Sequence, residues 1–341
     1  MITLKQLAEK SNVSIATVSN IINGKSNVSE ETKQRVFKII EQTGYEPNFM
    51  ARGLRANKSN TIAIIVEDLC AFHTRYLVEG IMSQCEVLGY RVVIENLRYY
   101  EKFPTEPKTP AGFKKTLESA INQMIAIRVD AIIYVAAYSR EDDYFPDNVS
   151  VPVIIAYDYN PKISSVTIDD VTAAFEMTDY LINKGCSSIA VISGIEGNIH
   201  SIKRIEGYKL ALKKHNLNFN DEIVINGDWN RVGGYEACKK LSPDFFENKQ
   251  NAIFCFNDEM AAGVYDFLSE KKLVPGKDIS VTGFDNQEFS TYMQPKLTTM
   301  EIPLKEIGMQ AAEQAVKKIN GTEDSIKFLN IPCRLIKRES D

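Results

Sequence analysis

Apolar positions in the first sixty residues recur at helical spacing. Thr3 followed three residues later by Gln6 is a capping-box pattern, and Leu4, Leu7 and Ala8 then share one face, so a short helix runs from about Leu4 to Lys10. Ser11-Asn12-Val13-Ser14 interrupts it. Asn12 tolerates the left-handed backbone that a tight turn needs, Val13 returns to the core, and Ser14 caps a second helix running to about Asn23, with Gly24 as its stop. Ser29, Glu30, Glu31 and Thr32 open a third helix, whose Val36, Ile39 and Ile40 close a small core before Gly44. Two short helices across a tight turn, backed by a third, predict an all-α helix-turn-helix unit; a generic three-helix bundle is the plainer alternative. The outward face of the second helix carries Ser14, Ile15, Ala16, Thr17, Ser19 and Asn20, short side chains without a carboxylate, which suits close approach to base edges and phosphates.

From Asn60 onward the pattern changes to short apolar runs alternating with helix-length segments. Thr61–Val66 reads as a buried strand, followed by a helix near Tyr76 to Leu88, Gly89 as its stop, and a strand at Arg91–Glu95. Ala131–Val135 and Val153–Ala156 continue a first lobe, and Ser188–Ile192, Glu222–Ile225, Ala252–Phe256 and Ile279–Thr282 make a second. Continuous β-branched runs between helices imply parallel sheets covered on both faces, and two such sheets in series imply a two-lobed α/β body with a cleft at the carboxyl ends of the strands. The chain is expected to pass between lobes near Tyr159–Lys162, Ser290–Lys296 and Thr322–Lys327, an arrangement that permits hinged closure. The Pro-rich stretch Tyr99–Phe113 reads as a surface loop.

Charge sharpens the division. The net charge is −5, yet the first sixty residues hold nine Lys or Arg against five Glu, a surplus of +4 that leaves −9 to the rest. A basic head joined to an acidic body is expected where one end meets phosphate. At 44% hydrophobic and 25% charged, the composition excludes a disordered or fibrous chain. The six cysteines lack a Cys-x-x-Cys pair and read as reduced, mostly buried thiols. Charge breaks up the apolar residues of the first segment, unlike a signal peptide, and no apolar run is long enough for a bilayer, so a cytoplasmic protein with no membrane partner is expected.

No G-x-G-x-x-G, Walker lysine loop, H-E-x-x-H or G-x-S-x-G is present, and His73, His200 and His215 are not spaced as a metal site. Nothing argues for catalysis, a cofactor or a metal. The predicted strand ends suit a polar ligand instead: Asp158 with Tyr159, Arg204 within Arg-Ile-Glu-Gly-Tyr, Trp229 after Gly227-Asp228, Asn257-Asp258, and Asp285 within Gly-Phe-Asp-Asn. Carboxylate and guanidinium groups bridge paired hydroxyls or ring nitrogens, and an aromatic face stacks on a sugar or base. Taken singly, a strand-end Asp is more often a helix cap.

The run Leu4-Lys5-Gln6-Leu7-Ala8, Val13-Ser14-Ile15-Ala16-Thr17-Val18-Ser19, Asn23-Gly24-Lys25, Val28-Ser29-Glu30-Glu31-Thr32 and Gly44-Tyr45-Glu46-Pro47-Asn48 closely resembles the lactose-repressor (LacI/GalR) family, and the likeness continues through the chain. The resemblance implies a helix-turn-helix head over 1–46, a hinge helix and linker over 47–59, and a periplasmic-binding-protein-like effector-binding and dimerisation body over 60–341. The body would divide into an N-lobe of about 60–160 and 293–323 and a C-lobe of about 163–289 and 327–341. It further implies that Ile15 and Ala16 read bases, with Thr17, Ser19 and Asn20 beside them and Thr3, Ser14 and Asn23 nearer the backbone of double-stranded operator DNA. Asn48, Ala51, Arg52, Leu54 and Arg55 match the family's hinge helix, with Leu54 as a minor-groove wedge; a flexible linker is the alternative. In the body, Asp158, Tyr159, Arg204, Trp229, Asn257, Asp258 and Asp285 coincide with effector-binding positions, Arg204, Asp285 and Trp229 foremost.

Three departures matter. Asn12 stands where the family usually has Gly, and Asn20 where it usually has Arg, which shifts the expected contact from guanine to adenine. Ala71-Phe72-His73-Thr74 replaces a common Asn-Pro-Phe-Phe, which brings His73 into the effector set and leaves either an anionic ligand or a remodelled neutral pocket open. No leucine-heptad tail follows Arg338, so a homodimer on a palindromic operator is expected. The resemblance implies a repressor controlled by a small polar effector, a sugar or sugar derivative. A regulator answering to a phosphorylated carrier protein, a solute-binding protein and an α/β enzyme are the alternatives.

Overall fold

The computed structural model describes residues 2–22, 28–45, 58–103, 112–137, 144–323 and 325–341, which form two compact units, 1–60 and 61–341. In the first, α1 (Leu4–Ser11), α2 (Ile15–Ile22) and α3 (Glu30–Thr43) surround a core of Leu7, Ala8, Val18, Ile21, Val36 and Tyr45. The capping box of α1 is complete: the Gln6 N–H donates to Thr3 Oγ1 at 3.2 Å and the Thr3 N–H to Gln6 Oε1 at 2.8 Å. Asn12 takes the left-handed conformation, φ 52° and ψ 47°, so the turn keeps its geometry without glycine. The Thr17 N–H donates to Ser14 Oγ at 3.0 Å and starts α2. Arg35 of α3 reaches back to the Ser11 carbonyl at 3.2 Å, tying the third helix to the turn between the first two. The hinge residues Asn48, Ala51, Arg52, Leu54 and Arg55, and Asn23 at the expected end of the second helix, lie outside the described residues.

The second unit is built on β1 (Thr61–Val66), β2 (Arg91–Asn96), β3 (Ala131–Val135), β4 (Val153–Ala156), β5 (Ser164–Ile168), β6 (Ser188–Ser193), β7 (Val224–Asn226), β8 (Asn251–Cys255), β9 (Ser280–Asp285), β10 (Thr298–Glu301), β11 (Phe328–Ile331) and β12 (Arg334–Ile336). They form two six-stranded sheets, ordered β11-β5-β4-β3-β1-β2 and β12-β10-β9-β8-β6-β7. Every pairing is parallel except β10 with β12. The helices are α4 (Thr74–Val87), α5 (Tyr99–Lys102), α6 (Phe113–Ala126), α7 (Asp170–Asn183), α8 (Ile199–Lys214), α9 (Arg231–Cys238), α10 (Asp258–Glu270) and α11 (Leu304–Ile319). Central strands such as β1 and β3 are buried on both faces, which is why they read as unbroken apolar runs.

The lobe boundaries differ from expectation. β5 belongs to the first sheet, so the first crossing comes at Ile168–Asp170 rather than Tyr159–Lys162. β10 belongs to the second sheet, which moves the next crossing from Ser290–Lys296 to Glu301–Leu304, and the last falls between Ile331 and Arg334 instead of Thr322–Lys327. The cause is compositional. Ser-Ser-Val-Thr-Ile and Thr-Thr-Met-Glu carry hydroxyls into fully buried strands, where the backbone ladder rather than side-chain apolarity holds them.

Two smaller corrections concern local structure. Asp221–Ile223 forms a 3-10 turn and the strand begins only at Val224. The start of the predicted Tyr99–Phe113 loop is the helical turn α5, and Tyr99, Phe103 and Phe113 pack their rings together; 104–111 lie outside the described residues. In the first lobe α4 and α11 cross at Gly80 and Gly308, where a Cβ would run into the Lys305 carbonyl or the Leu77 carbonyl of the facing helix, so both positions need the smallest residue.

Candidate functional site

The first surface is α2. Val18 and Ile21 point into the head's core, which leaves Ser14, Ile15, Ala16 and Asn20 exposed, and Thr17 and Ser19 partly so. Ile15 is 41% exposed, an apolar side chain that the head's own packing does not use. The Ser14 and Thr17 hydroxyls bond each other at 2.8 Å, fixing the first turn. Thr3 lies exposed at the start of α1. The helix offers short groups and no charge, so any contact with bases is by hydrogen bond and methyl packing.

The second surface lies at the carboxyl ends of the strands in the other unit. Asn198 caps α8, accepting the N–H groups of His200 and Ser201, and so sets the register that places His200 and Arg204 one turn apart. Both reach Asp170 at the start of α7: Arg204 Nε donates to Oδ1 at 2.7 Å, and His200 Nδ1 lies 2.7 Å from Oδ2. Burial alone would raise the Asp170 carboxyl, but His200 and Arg204 outweigh it and hold it below the usual carboxylate range. Arg204, 2% exposed, also donates to the Phe256 carbonyl at the end of β8 and lies 3.5 Å from the Phe284 ring centroid.

Trp229 and Asp285 flank that guanidinium. Trp229 has a left-handed backbone, φ 70°, and its indole covers Gly194, where any Cβ would overlap the ring. Its carbonyl accepts from Asn257 Nδ2 at 2.8 Å, while Asn257 Oδ1 caps α10. Asp285 closes β9 at φ 108°, a conformation that L residues rarely hold and that clusters at functional sites. Burial and neighbouring Asp258 push its carboxyl well above the ordinary range. Asp258 accepts from Thr299 Oγ1 at 2.6 Å and the Gln287 N–H at 2.7 Å, and burial lifts it to about 7 despite those donors. Asn257 and Asp258 therefore orient Trp229 and the Asp285–Gln287 segment.

The first lobe contributes His73 and Tyr157. Their rings stack at 4.3 Å and 19°, and Tyr157 in turn lies 5.4 Å from the His200 ring of the second lobe. Burial and the nearby Asp285 raise the Tyr157 hydroxyl well above its ordinary range. A groove of about 860 Å³ opens alongside, lined by Phe72 and Arg75 of one lobe and by Asp285, Gln287 and Phe289 of the other. The carboxylate of Asp158 is committed inside the first lobe, accepting from the Tyr144 hydroxyl at 3.1 Å and the Tyr159 N–H at 2.7 Å, and Tyr159 packs on Phe328. The structure thus gathers His73, Arg204, Trp229 and Asp285, with Asn257 and Asp258 behind them, and leaves Asp158 and Tyr159 aside.

Residues 3–48 match the sequence profile of bacterial regulatory proteins of the lacI family, and residues 178–340 that of a periplasmic binding protein-like domain. Catabolite control protein A of Priestia megaterium is 32% identical over 99% of this chain and 99% of its own length. The chain belongs to the lacI family of bacterial regulatory proteins. It is a transcription repressor with a DNA-binding helix-turn-helix head and an effector-binding body. The fold agrees with solved lacI-family structures: the lac repressor dimer bound to operator and the anti-inducer ONPF superposes with a TM-score of 0.81, covering 99% of this chain and 98% of that one at 23% identity. The CelR–cellobiose complex gives 0.70 over the whole of both chains, also at 23% identity. Among the described residues no helix is long and apolar enough to cross a membrane, and no cluster of His, Cys, Asp and Glu is arranged to hold a metal.

Three site residues escaped the sequence reading: Asp170, Tyr157 and His200. The first follows β5, whose hydroxyls hid the strand and so hid its end. His200 carried a usable signal, since His and Arg four apart at the start of a helix after a buried strand must face the same way.

Proposed function

We propose that this lacI-family repressor binds a palindromic DNA operator as a homodimer, reading bases with Ile15, Ala16 and Asn20, and that a small polar effector seated between the lobes sets its affinity. The observation that carries the reading is the buried Arg204, held by Asp170 and flanked by Trp229 and Asp285, at the carboxyl end of β8. A planar cation beside an indole and a carboxyl is the equipment for a ring-shaped ligand with paired polar groups. The solved relatives were captured with a sugar, cellobiose, in one case and with operator and a small-molecule anti-inducer in another, which supports both halves of the proposal. The hinge positions Asn48, Ala51, Arg52, Leu54 and Arg55 belong to the same proposal, as contacts to DNA, with Leu54 entering the minor groove.

The mechanism is linkage. An effector that binds one lobe arrangement better than another changes DNA affinity by the same coupling free energy, typically about 1–3 kcal/mol. Dimerisation follows from the need to present two heads to inverted half-sites. Selection from a degenerate palindromic DNA library, followed by fluorescence anisotropy with and without candidate effectors, tests this. Enrichment of an inverted repeat bound by two chains supports it, and absence of any enriched site, or tight binding of a single half-site by one chain, overturns it.

A further inference from the structure

We propose that the second lobe holds a further ligand site, at the end of its sheet opposite the interlobe space, and that this site takes an aromatic or large aliphatic amino acid as the zwitterion. α9 ends at Cys238, a 3-10 turn spans Pro243–Phe246, and α10 ends at Glu270. Between them opens a cavity of about 550 Å³, within the roughly 300–1,000 Å³ of small-molecule sites. Lys249 and Asp278, which line it, stand two residues before β8 and β9, whereas Arg204 meets the far end of β8 through the Phe256 carbonyl. The five residues of β8, about 13 Å of strand, hold the two places apart. No residue of this lining belongs to the set gathered round Arg204.

The buried part of the lining is apolar and the exposed part is charged. Cys238, Leu241 and Phe267 are buried, and Phe246 and Leu273 partly so. The Phe246 and Phe267 rings lie 5.2 Å apart at 42°, and Phe245 extends the cluster from Phe246 at 5.7 Å. Burial pushes the Cys238 thiol up to about 12, so it stays neutral and acts as one more apolar group. A ring or a branched chain fills such walls, whereas sugar hydroxyls buried against them would go unmatched.

The exposed charges set the rest of the ligand. Lys239 lies 2.7 Å from Glu236, and Lys249 lies 3.8 Å from Asp278. Two charges of the lining are left over. Among the described residues Lys271 has no carboxylate partner and stands over the Phe267 ring at 5.7 Å, and Glu247 has no cation. Glu247 directly follows Phe246, and Lys271 lies one helical turn beyond Phe267, so each ring has one unpaired charge next to it in the chain, of opposite sign. α9 and α10 both end here, and their carboxyl-terminal poles add to the pull on a positive group. A plain acid would meet those poles and Glu247, and a plain amine would meet the lysines. A molecule with an ammonium and a carboxylate on one carbon, next to an apolar side chain, matches both signs and the walls.

Titration of the full-length protein with carbon-13-labelled leucine methyls tests this, with Leu241 and Leu273 assigned through single isoleucine substitutions. The probes are phenylalanine, tyrosine and leucine; glycine and alanine, which keep the charges without the body; and 3-phenylpropionate and phenethylamine, which keep the ring and one charge. The expected result is that at least one of the first three moves both methyls at saturation, while the other four bind more weakly. Lys271→Gln and Glu247→Gln, both on exposed side chains that the fold does not need, should each raise the Kd of that amino acid about two- to fivefold, the strength of an exposed ion pair. Each should leave unchanged the Kd of the probe that lacks the matching charge: phenethylamine for Lys271→Gln, 3-phenylpropionate for Glu247→Gln. No shift of these methyls by any of the three, shifts confined to leucines elsewhere, glycine or a singly charged probe binding as tightly, or a Kd indifferent to either substitution overturns the inference.

Discussion

Arg204 and Asp170 form an ion pair closed to water, the guanidinium Nε 2.7 Å from the carboxylate, with side-chain exposures of 2% and 1%. Such a pair punishes the loss of one partner far more than the loss of both. Arg204→Ala should cost about 3–5 kcal/mol by leaving a buried carboxylate with His200 alone, whereas Arg204→Met combined with Asp170→Leu should recover most of it. Urea unfolding checks the stability, and anisotropy with operator checks that the recovered double variant still binds DNA while no longer answering to effector. Equal losses for the single and double variants would show that the pair contributes mainly attraction.

Trp229 is the only tryptophan of the chain, so its fluorescence reports one place. Gly194→Ala forces the indole off its seat and should destabilise the body by about 1–3 kcal/mol, as overpacking does. The emission maximum should shift to longer wavelength as the ring gains solvent. An unchanged spectrum would mean that the loop, not the ring, gives way.

The pH dependence of stability has two opposing parts. His73 is pushed down to about 4 in the folded chain, against about 6.5 when unfolded, so the unfolded chain takes up the proton first. Its stabilisation is complete above about pH 6.5 and is lost on falling toward 4, by roughly 3 kcal/mol. Asp258 runs the other way: lifted by burial to about 7 from about 3.9, its contribution is complete below the lower value and fades as pH rises through the higher. The gap in unfolding free energy between the wild type and His73→Phe should therefore shrink between pH 7 and 4, and Asp258→Asn should flatten the decline between pH 5 and 7. A gap that stays constant with pH would assign the His73 effect to packing alone.

Asn20 is exposed on α2, where it can reach a base edge. Asn pairs two-fold with adenine and Arg with guanine, each worth about 1–3 kcal/mol of discrimination. Asn20→Arg should convert one position of each half-site from adenine to guanine in a library selection. An unaltered preference would place Asn20 off the bases.

The described part of the head was legible because its signals are local: Thr3 with Gln6, Asn12 in the turn, Ser14 and Ser29 as caps. Strands buried on both faces, such as β1 and β3, also declared themselves. The lobe boundaries did not, because β5 and β10 fill buried positions with Ser and Thr, some held by groups distant in sequence, such as Thr299 on Asp258 and Ser164 on the Lys327 N–H. In the candidate site, Arg204, Trp229 and Asp285 come together as read from their strand ends. Asp158 stood on the same kind of evidence, yet the Tyr144 hydroxyl claims it, a pairing that no local pattern announces.

The interleaving of β11 with β5 and β4 governs how this protein can be made. Everything from Asp170 to Glu301 is an excursion within a sheet whose outer strand is Phe328–Ile331 and whose covering helix α11 begins at Leu304. A ribosome must therefore translate all of the second lobe except β12 before the first has its last strand. Any release of the chain short of Ile331 yields two unfinished halves in place of one finished domain.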